Sequence, residues 1–368
     1  MAAVDELLSR RALRTPFIRM AKQGKVIPPS AFTRSGGLGA GIADQVADDK
    51  VLGLVADGAT LVLQALHRSW PPLVQFGSAL AAELGHPVQI NSYLTPAQNQ
   101  GFAPHYDTHD VFVLQAVGSK RWVIHEPVRQ SPLPGQDWEK YRDEVAARAA
   151  GAPLIDTVLR PGDALYLPRG FIHSAVAQGE TSLHLTVGVH PVTRYALLRQ
   201  LLAEAAEEPE LRTSLPVGLD LATESALSGP LAETVASLTG FLQQHRLPAV
   251  LARLADQLAD QTRPAPIEPM AQLDVLAGLA VDTPVRIRPG LRPRVEQDNT
   301  AGVAEQAAGL VLRALDARIS LSAQAEPALK QLQTGAVLPA GRLPGLSEQD
   351  SLELSRRLLT AAVLVPGA

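Results

Sequence analysis

Between residues 57 and 191, short apolar runs alternate with Gly- and Pro-bearing turns. The runs are Ala59–Gln64, Val88–Leu94, Val111–Val117, Arg121–His125, Asp163–Leu167, Ser174–Ala177 and Leu183–Val189. Their length and turn spacing predict β-strands. Pro72–Leu84 breaks the pattern: apolar residues recur there every three to four positions and stop at Gly85, which predicts a helix. Many strands and few helices predict a barrel or sandwich, here a jelly roll. Gly118-Ser119 reads as a two-residue hairpin loop, and Pro161-Gly162-Asp163 as the turn that opens a later strand. The segment Met1–Thr33 is basic and mixed, and predicts a short helix with an extended arm.

Beyond Pro191 the period changes to 3.6, which predicts helices over Tyr195–Glu207, Pro230–Gln244 and Pro248–Gln261. Pro264–Pro269 reads as a linker. Ser347-Glu348-Gln349-Asp350 precedes a periodic run and opens a helix to about Leu359, with acids on its first turn. A strand-like tail, Ala362–Val365, follows. Helices ending in a short strand suit a winged-helix-like module. The expected class is α+β, with a jelly roll over 1–190, a helical region over 191–262 and a winged-helix-like domain over 263–368.

Composition narrows the chemistry. At 46% hydrophobic and 19% charged residues, the chain of 368 is globular, and its length suits two to three domains. With no cysteine there is no disulfide, thiol nucleophile, Cys-ligated zinc or iron–sulfur cluster. A net charge of −4 argues against non-specific wrapping of nucleic acid. Residues 1–25 lack the apolar core of a secretory signal, and the longest apolar stretch, Val51–Leu66, is interrupted by Asp57 and Gln64. The expected location is the cytoplasm, without membrane partners. Ser35–Gly41 is glycine-rich but lacks phosphate-loop spacing, and no serine-hydrolase or H-E-x-x-H pattern occurs.

The richest stretch runs from Gln100 to Gln115 and contains His105-Tyr106-Asp107. In an extended segment, residues two apart share a face, so an imidazole and a carboxylate stand side by side. His173, after Pro168-Arg169-Gly170, offers a second imidazole. Two histidines and one carboxylate make the facial triad of non-haem Fe(II) oxygenases. Spacing alone is weak support: 9 His and 19 Asp give roughly 0.5 His-x-Asp pairs by chance. A surface His–Asp pair stays open on that ground. Strand alternation puts Lys120 on the face of Trp122 and Ile124. If that face is interior, Lys120 is a buried cation in need of an anion; a lysine snorkelling from a hairpin end is the alternative.

These residues carry a family resemblance. Asn91-Ser92-Tyr93-Leu94-Thr95-Pro96, His105-Tyr106-Asp107, Asp110–Gln115, Gly118-Ser119-Lys120-Arg121-Trp122, Pro161-Gly162-Asp163 and Leu167–His173 resemble the JmjC-type cupin family of ribosomal oxygenases. The likeness is dense over about residues 50–190 and weaker toward the C-terminus. It implies a catalytic double-stranded β-helix (jelly-roll/cupin) and a homodimer formed through the middle helical region. It implies an Fe(II)- and 2-oxoglutarate-dependent hydroxylase that uses O2 and acts on an Arg or His side chain of a ribosomal protein. By the same resemblance His105, Asp107 and His173 are the metal ligands, Lys120 takes the distal carboxylate of 2-oxoglutarate, and Asn91, Tyr93 and Thr186 line that pocket. His184 shares the strand side of Thr186, which leaves open a supporting place beside the pocket, but a core histidine is the expectation; His109 and His125 have no good claim to the metal. A carboxylate at Asp107 favours hydroxylation over halogenation, and histone demethylation is the more distant likeness. The N-terminal arm departs from the family in lacking an aromatic-rich opening. The alternatives are the same chemistry on a non-ribosomal peptide or amino acid, and a cupin-sensor DNA-binding regulator. Residues 261–368 hold 10 Arg and 1 Lys against 11 Asp and Glu, without the basic excess of a DNA reader.

Overall fold

The computed structural model describes residues 1–243, 247–297 and 309–367. The chain divides into two compact units, 1–191 and 192–368. In the first, helices α1 (Ala2–Arg10), α2 (Asp48–Ala56), α3 (Leu66–Ser69), α4 (Pro71–Leu84) and α5 (Arg142–Ala149) accompany twelve strands. These are β1 (Ile18–Lys22), β2 (Lys25–Ile27), β3 (Thr33–Arg34), β4 (Gln45–Val46), β5 (Thr60–Leu63), β6 (Val88–Thr95), β7 (Asp110–Val117), β8 (Lys120–His125), β9 (Ile155–Leu159), β10 (Ala164–Leu167), β11 (Ile172–Ala177) and β12 (Ser182–Val189).

Seven strands form a sheet in the order β10-β7-β12-β6-β5-β1-β2, and β11-β8-β9 form a second sheet. Alternation decides what each face of the large sheet does. Met20, Leu61, Leu63, Ile90, Leu94, Leu183 and Val187 point to one side, where Val4, Leu7 and Val51 from α1 and α2 complete a core. Their strand neighbours Arg19, Thr60, Asn91, Tyr93, His184 and Thr186 point to the other side, into the space bounded by the small sheet. The apolar half of each strand fixes the register, and the polar half is thereby committed to the interior of the jelly roll.

Gly118-Ser119 is not a hairpin loop. β7 pairs with β10 and β12, whereas β8 pairs with β9 and β11. The two residues form a corner that carries the chain from one sheet to the other. Gly118 takes φ +61°, and a Cβ there would stand 2.3 Å from the Thr181 carbonyl oxygen. The Gln115 carboxamide donates to the Val117 and Gly118 carbonyls and to Ser182 Oγ, which pins the corner. A glycine between two apolar runs signals a turn, but it does not say whether the runs pair afterwards.

The second unit contains α6 (Arg194–Ala205), α7 (Glu224–Leu242), α8 (Leu247–Gln261) and α9 (Pro269–Ala277). Thr193 caps α6 by accepting from the Ala196 amide. The predicted start of α7 at Pro230 is one and a half turns late, because the helix runs through that proline; the predicted end at Gln244 lies outside the described residues. Downstream come β13 (Pro284–Ile287), β14 (Arg294–Gln297), β15 (Leu310–Ala314), β16 (Ala317–Leu321), α10 (Glu326–Gln333), β17 (Leu338–Pro339), α11 (Glu348–Thr360) and β18 (Leu364–Pro366). They build two three-stranded sheets, β17-β13-β18 and β14-β15-β16. Leu312, Leu332, Leu358 and Leu364 lie in their shared core. Ser347 caps α11, accepting from the Asp350 amide, as the run of polar residues there predicts.

Candidate metal centre

The segment after β6 returns along β11. The His105 amide donates to the His173 carbonyl at 3.2 Å, and the His173 amide donates back to His105 at 2.8 Å. One residue pair further on, the Gly170 amide donates to the Asp107 carbonyl at 3.0 Å. These backbone bonds bring together three side chains that are distant in sequence. One ligand atom from each of His105, Asp107 and His173 lies within 4.8 Å of the others.

Tautomer and charge are set locally. His105 Nδ1 lies 2.8 Å from the Ala103 carbonyl, and His173 Nδ1 lies 3.1 Å from the Phe171 carbonyl. A carbonyl can only accept, so each Nδ1 carries a proton and Nε2 is the ring atom left to face the metal position. His173 Nε2 faces Asp107 Oδ2 at 3.6 Å. Burial, with His105 beside it, lowers the His173 pKa to about 4, so the ring is neutral at pH 7. Burial opposes the Asp107 charge, but His173, His105, His109 and His190 outweigh it and hold the carboxyl below its usual range. Two imidazoles and a carboxylate with their ligand atoms gathered together form a donor set suited to a divalent transition metal.

The three side chains open into a cavity of about 550 Å³ between the two sheets. Lys120 lies in this cavity, only 4% exposed. Its Nζ donates to Thr95 Oγ1 at 3.0 Å, and Thr95 also accepts from Thr60. Among the described residues no carboxylate comes within ion-pair distance of Lys120, and burial lowers its pKa to about 7. Tyr93 stacks on His184 with centroids 5.0 Å apart, and Trp122 meets His184 edge-on at 5.3 Å. Burial raises the Tyr93 pKa, as does the Asp107 carboxylate, while Arg19 and Thr186 pull it the other way. Trp122 Nε1, His184 Nδ1 and Arg19 Nε are buried without partners. A cavity lined by orphaned polar atoms and a lone cation is built to receive a polar, anionic guest.

The family model for the JmjC domain matches residues 71–197. This segment resembles the JmjC domain. Curated relatives include the "bifunctional lysine-specific demethylase and histidyl-hydroxylase NO66" of Drosophila persimilis, 40% identical over 139 residues, covering 36% of this chain and 19% of the relative. The Drosophila willistoni protein of that name is 32% identical over 208 residues, covering 52% of this chain and 27% of its own length. The matched stretch is thus a minor part of those proteins. The crystal structure of E. coli ycfD shares the fold, with a TM-score of 0.54 at 17% identity, covering 99% of this chain and 90% of that one.

Within the matched segment and the strands beside it, the residues expected at the site converge. His105, Asp107 and His173 meet, and Lys120, Asn91, Tyr93 and Thr186 all line the cavity. Asn91 has structural work as well: its Oδ1 accepts from the Ala65 amide at 3.0 Å, where Ala65 sits at φ +55° before α3. His184, expected in the core, is buried at 2% exposure yet belongs to the cavity wall. His125 is buried in β8 outside that wall, and His109 stacks on His190 at 4.6 Å rather than joining the triad. Arg19 and Trp138 line the cavity without having been singled out by the sequence pattern. Alternation along β1 was the available signal for Arg19, since it lies between the buried Ile18 and Met20.

Proposed function

We propose that this chain is an Fe(II)- and 2-oxoglutarate-dependent oxygenase that hydroxylates a protein side chain, Arg or His of a ribosomal protein. The single observation that carries the reading is the pairing of the His105/Asp107/His173 donor set with the anion-free Lys120 ammonium in one cavity. The name shared by the NO66 relatives includes histidyl hydroxylation, and that chemistry needs such a set.

With Fe(II) bound, the metal, 2-oxoglutarate and O2 supply the oxidation that places a hydroxyl on an unactivated C–H bond. The chain supplies everything around it. His105 and His173 present fixed Nε2 lone pairs, and Asp107 adds the negative charge. Lys120, in its protonated form, takes the distal carboxylate of the cosubstrate, assisted by Thr95. Tyr93, His184 and Trp122 wall off that end from water, which strengthens the ion pair. Asn91 and Thr186 border the same pocket.

The test is 2-oxoglutarate binding to full-length protein loaded with Mn(II), in wild type and His173→Ala. The expected result is metal-dependent binding in wild type and its loss in the variant. Binding that persists in His173→Ala removes the metal assignment, and no binding in wild type removes the oxygenase reading.

The wider organisation belongs to the same proposal. Residues 191–262 serve as a homodimerisation region: α6 and α8 carry Leu197, Leu198, Leu202 and Leu251 exposed. Residues 263–368 form a winged-helix-like domain, supported by the placement of α10 and α11 against small antiparallel sheets. Among the described residues no helix is long and apolar enough to cross a membrane, and the proposed place of action is the cytoplasm.

A further inference from the structure

Arg19 occupies a defined place on the cavity wall. Strand register puts Arg19 opposite Val62, Val62 opposite Tyr93, and Tyr93 opposite His184. This row crosses the cavity face of the large sheet. From its end the Arg19 guanidinium lies over the Phe102 ring, 4.9 Å from the centroid. Its Nε is buried without a hydrogen-bond partner. Among the described residues no carboxylate lies within ion-pair distance of it.

The charges around the cavity leave Arg19 unanswered. Lys120 is matched by the cosubstrate dicarboxylate, and Asp107 by the metal. Glu139 and Arg142 line the cavity with opposite signs. Arg19 remains, and a guanidinium does not lose its proton to escape burial. It lies near the triad, because the Phe102 ring it covers stands 6.0 Å from the ring of His105. A fork of donors there suits an acceptor atom and repels a second cation.

We propose that Arg19 is a specificity-determining residue: it donates to an acceptor atom on a neutral target side chain and excludes a cationic one. The inference rests on the oxygenase reading and narrows its Arg-or-His target to the neutral side chain. An imidazole nitrogen or a carboxamide oxygen fits such a donor. An arginine side chain would bring a like charge into contact with Arg19.

The experiment uses full-length protein loaded with Mn(II) and 2-oxoglutarate. The probes are the N-acetyl methylamides of histidine, citrulline and arginine, and the readout is paramagnetic broadening of their NMR lines by Mn(II). Citrulline and arginine have nearly the same shape and differ in charge. Wild type is expected to bind the citrulline amide more than about tenfold tighter than the arginine amide, and to bind the histidine amide. Arg19→Gln should reduce that preference to within about twofold, whereas Arg19→Lys keeps its direction. A purely structural role for Arg19 would not change this ratio. The proposal is overturned by equal or tighter binding of the arginine amide in wild type, or by a full preference surviving in Arg19→Gln. Absence of broadening for all three amides at millimolar concentration also overturns it. So does loss of 2-oxoglutarate binding in folded Arg19→Gln, which would assign the residue to the cosubstrate. If Arg19→Gln does not fold, the wild-type comparison of citrulline with arginine decides alone. Metal-dependent 2-oxoglutarate binding is measured first in the same sample. Its absence sinks the oxygenase reading, and its presence without a charge preference sinks only the role of Arg19.

Discussion

Lys120 carries a cost that only a ligand can offset. Burial brings its pKa to about 7, from an ordinary 10.5. Below pH 7 the empty protein holds a buried ammonium with a single hydroxyl partner, while the unfolded chain hydrates the same charge freely. Between about pH 7 and 10.5 the folded state has released a proton that the unfolded state keeps, so stability rises with pH across that window. The full span is on the order of 5 kcal/mol. Lys120→Met keeps the volume and removes the charge. It should raise the melting temperature of the ligand-free protein by several degrees at pH 6, with the gain shrinking toward pH 10. The same variant should weaken 2-oxoglutarate binding by about two orders of magnitude. Calorimetric melting and titration check both halves, and a lower melting temperature at pH 6 would show that the ammonium has a partner. Lys120 was legible in the sequence because alternation placed it with Trp122 and Ile124. The triad was legible through the family resemblance, because one i, i+2 pair and one histidine after a Pro-Gly turn left a surface pair open. Arg19 was not, since an arginine in a short N-terminal strand looks ordinary until the sheet sets it in one row with Tyr93 and His184; alternation had already put His184 on the side of Thr186.

At the scale of elements, apolar runs located the strands well but said nothing of which strands pair. All seven predicted runs became strands, and the helix predicted over Pro72–Leu84 became α4. β9 was not among the predicted runs: Asp156-Thr157 split Ile155 from Val158-Leu159, and its place on β8 comes from tertiary pairing. The corner at Gly118 is where pairing was misjudged, and it is also where strand order meets the site, since Lys120 starts two residues later. Gly118→Ala must force a φ of +61° on a residue with a Cβ and push that Cβ against the Thr181 carbonyl. The expected cost is at least ~2 kcal/mol, since backbone, not a movable side chain, is in the way. Because the corner aims β8, the loss in stability should come with weaker 2-oxoglutarate binding. Gly162→Ala serves as the control: that glycine also has positive φ, but a Cβ there meets nothing within 4 Å. If both variants melt alike, backbone strain rather than the corner's crowding sets the cost.

The whole molecule keeps its candidate chemistry in one unit. Every residue lining the cavity, from Arg19 to Gly188, belongs to residues 1–191. A ligand that binds only the folded form stabilises what it touches by RT ln(1 + [L]/Kd), or about 2.7 kcal/mol at a hundredfold excess over Kd. That energy is delivered to the strands that hold the site, because amides exchange through openings of cooperative segments. Adding Mn(II) and 2-oxoglutarate to the full chain should therefore slow hydrogen exchange in three stretches: 101–107 with the first two triad residues, β8 with Lys120, and β11 with His173. The slowing should reach up to about a hundredfold for amides that exchange only when this unit opens. In β13–β18 the rates should stay as they are in the ligand-free protein. Asp107→Ala under the same additions should show neither effect, since one of the three converging ligand atoms is gone. Slowing spread evenly over β13–β18 would mean that the site is not confined to the first unit. Slowing confined to β8 would point to anion binding at Lys120 without the metal.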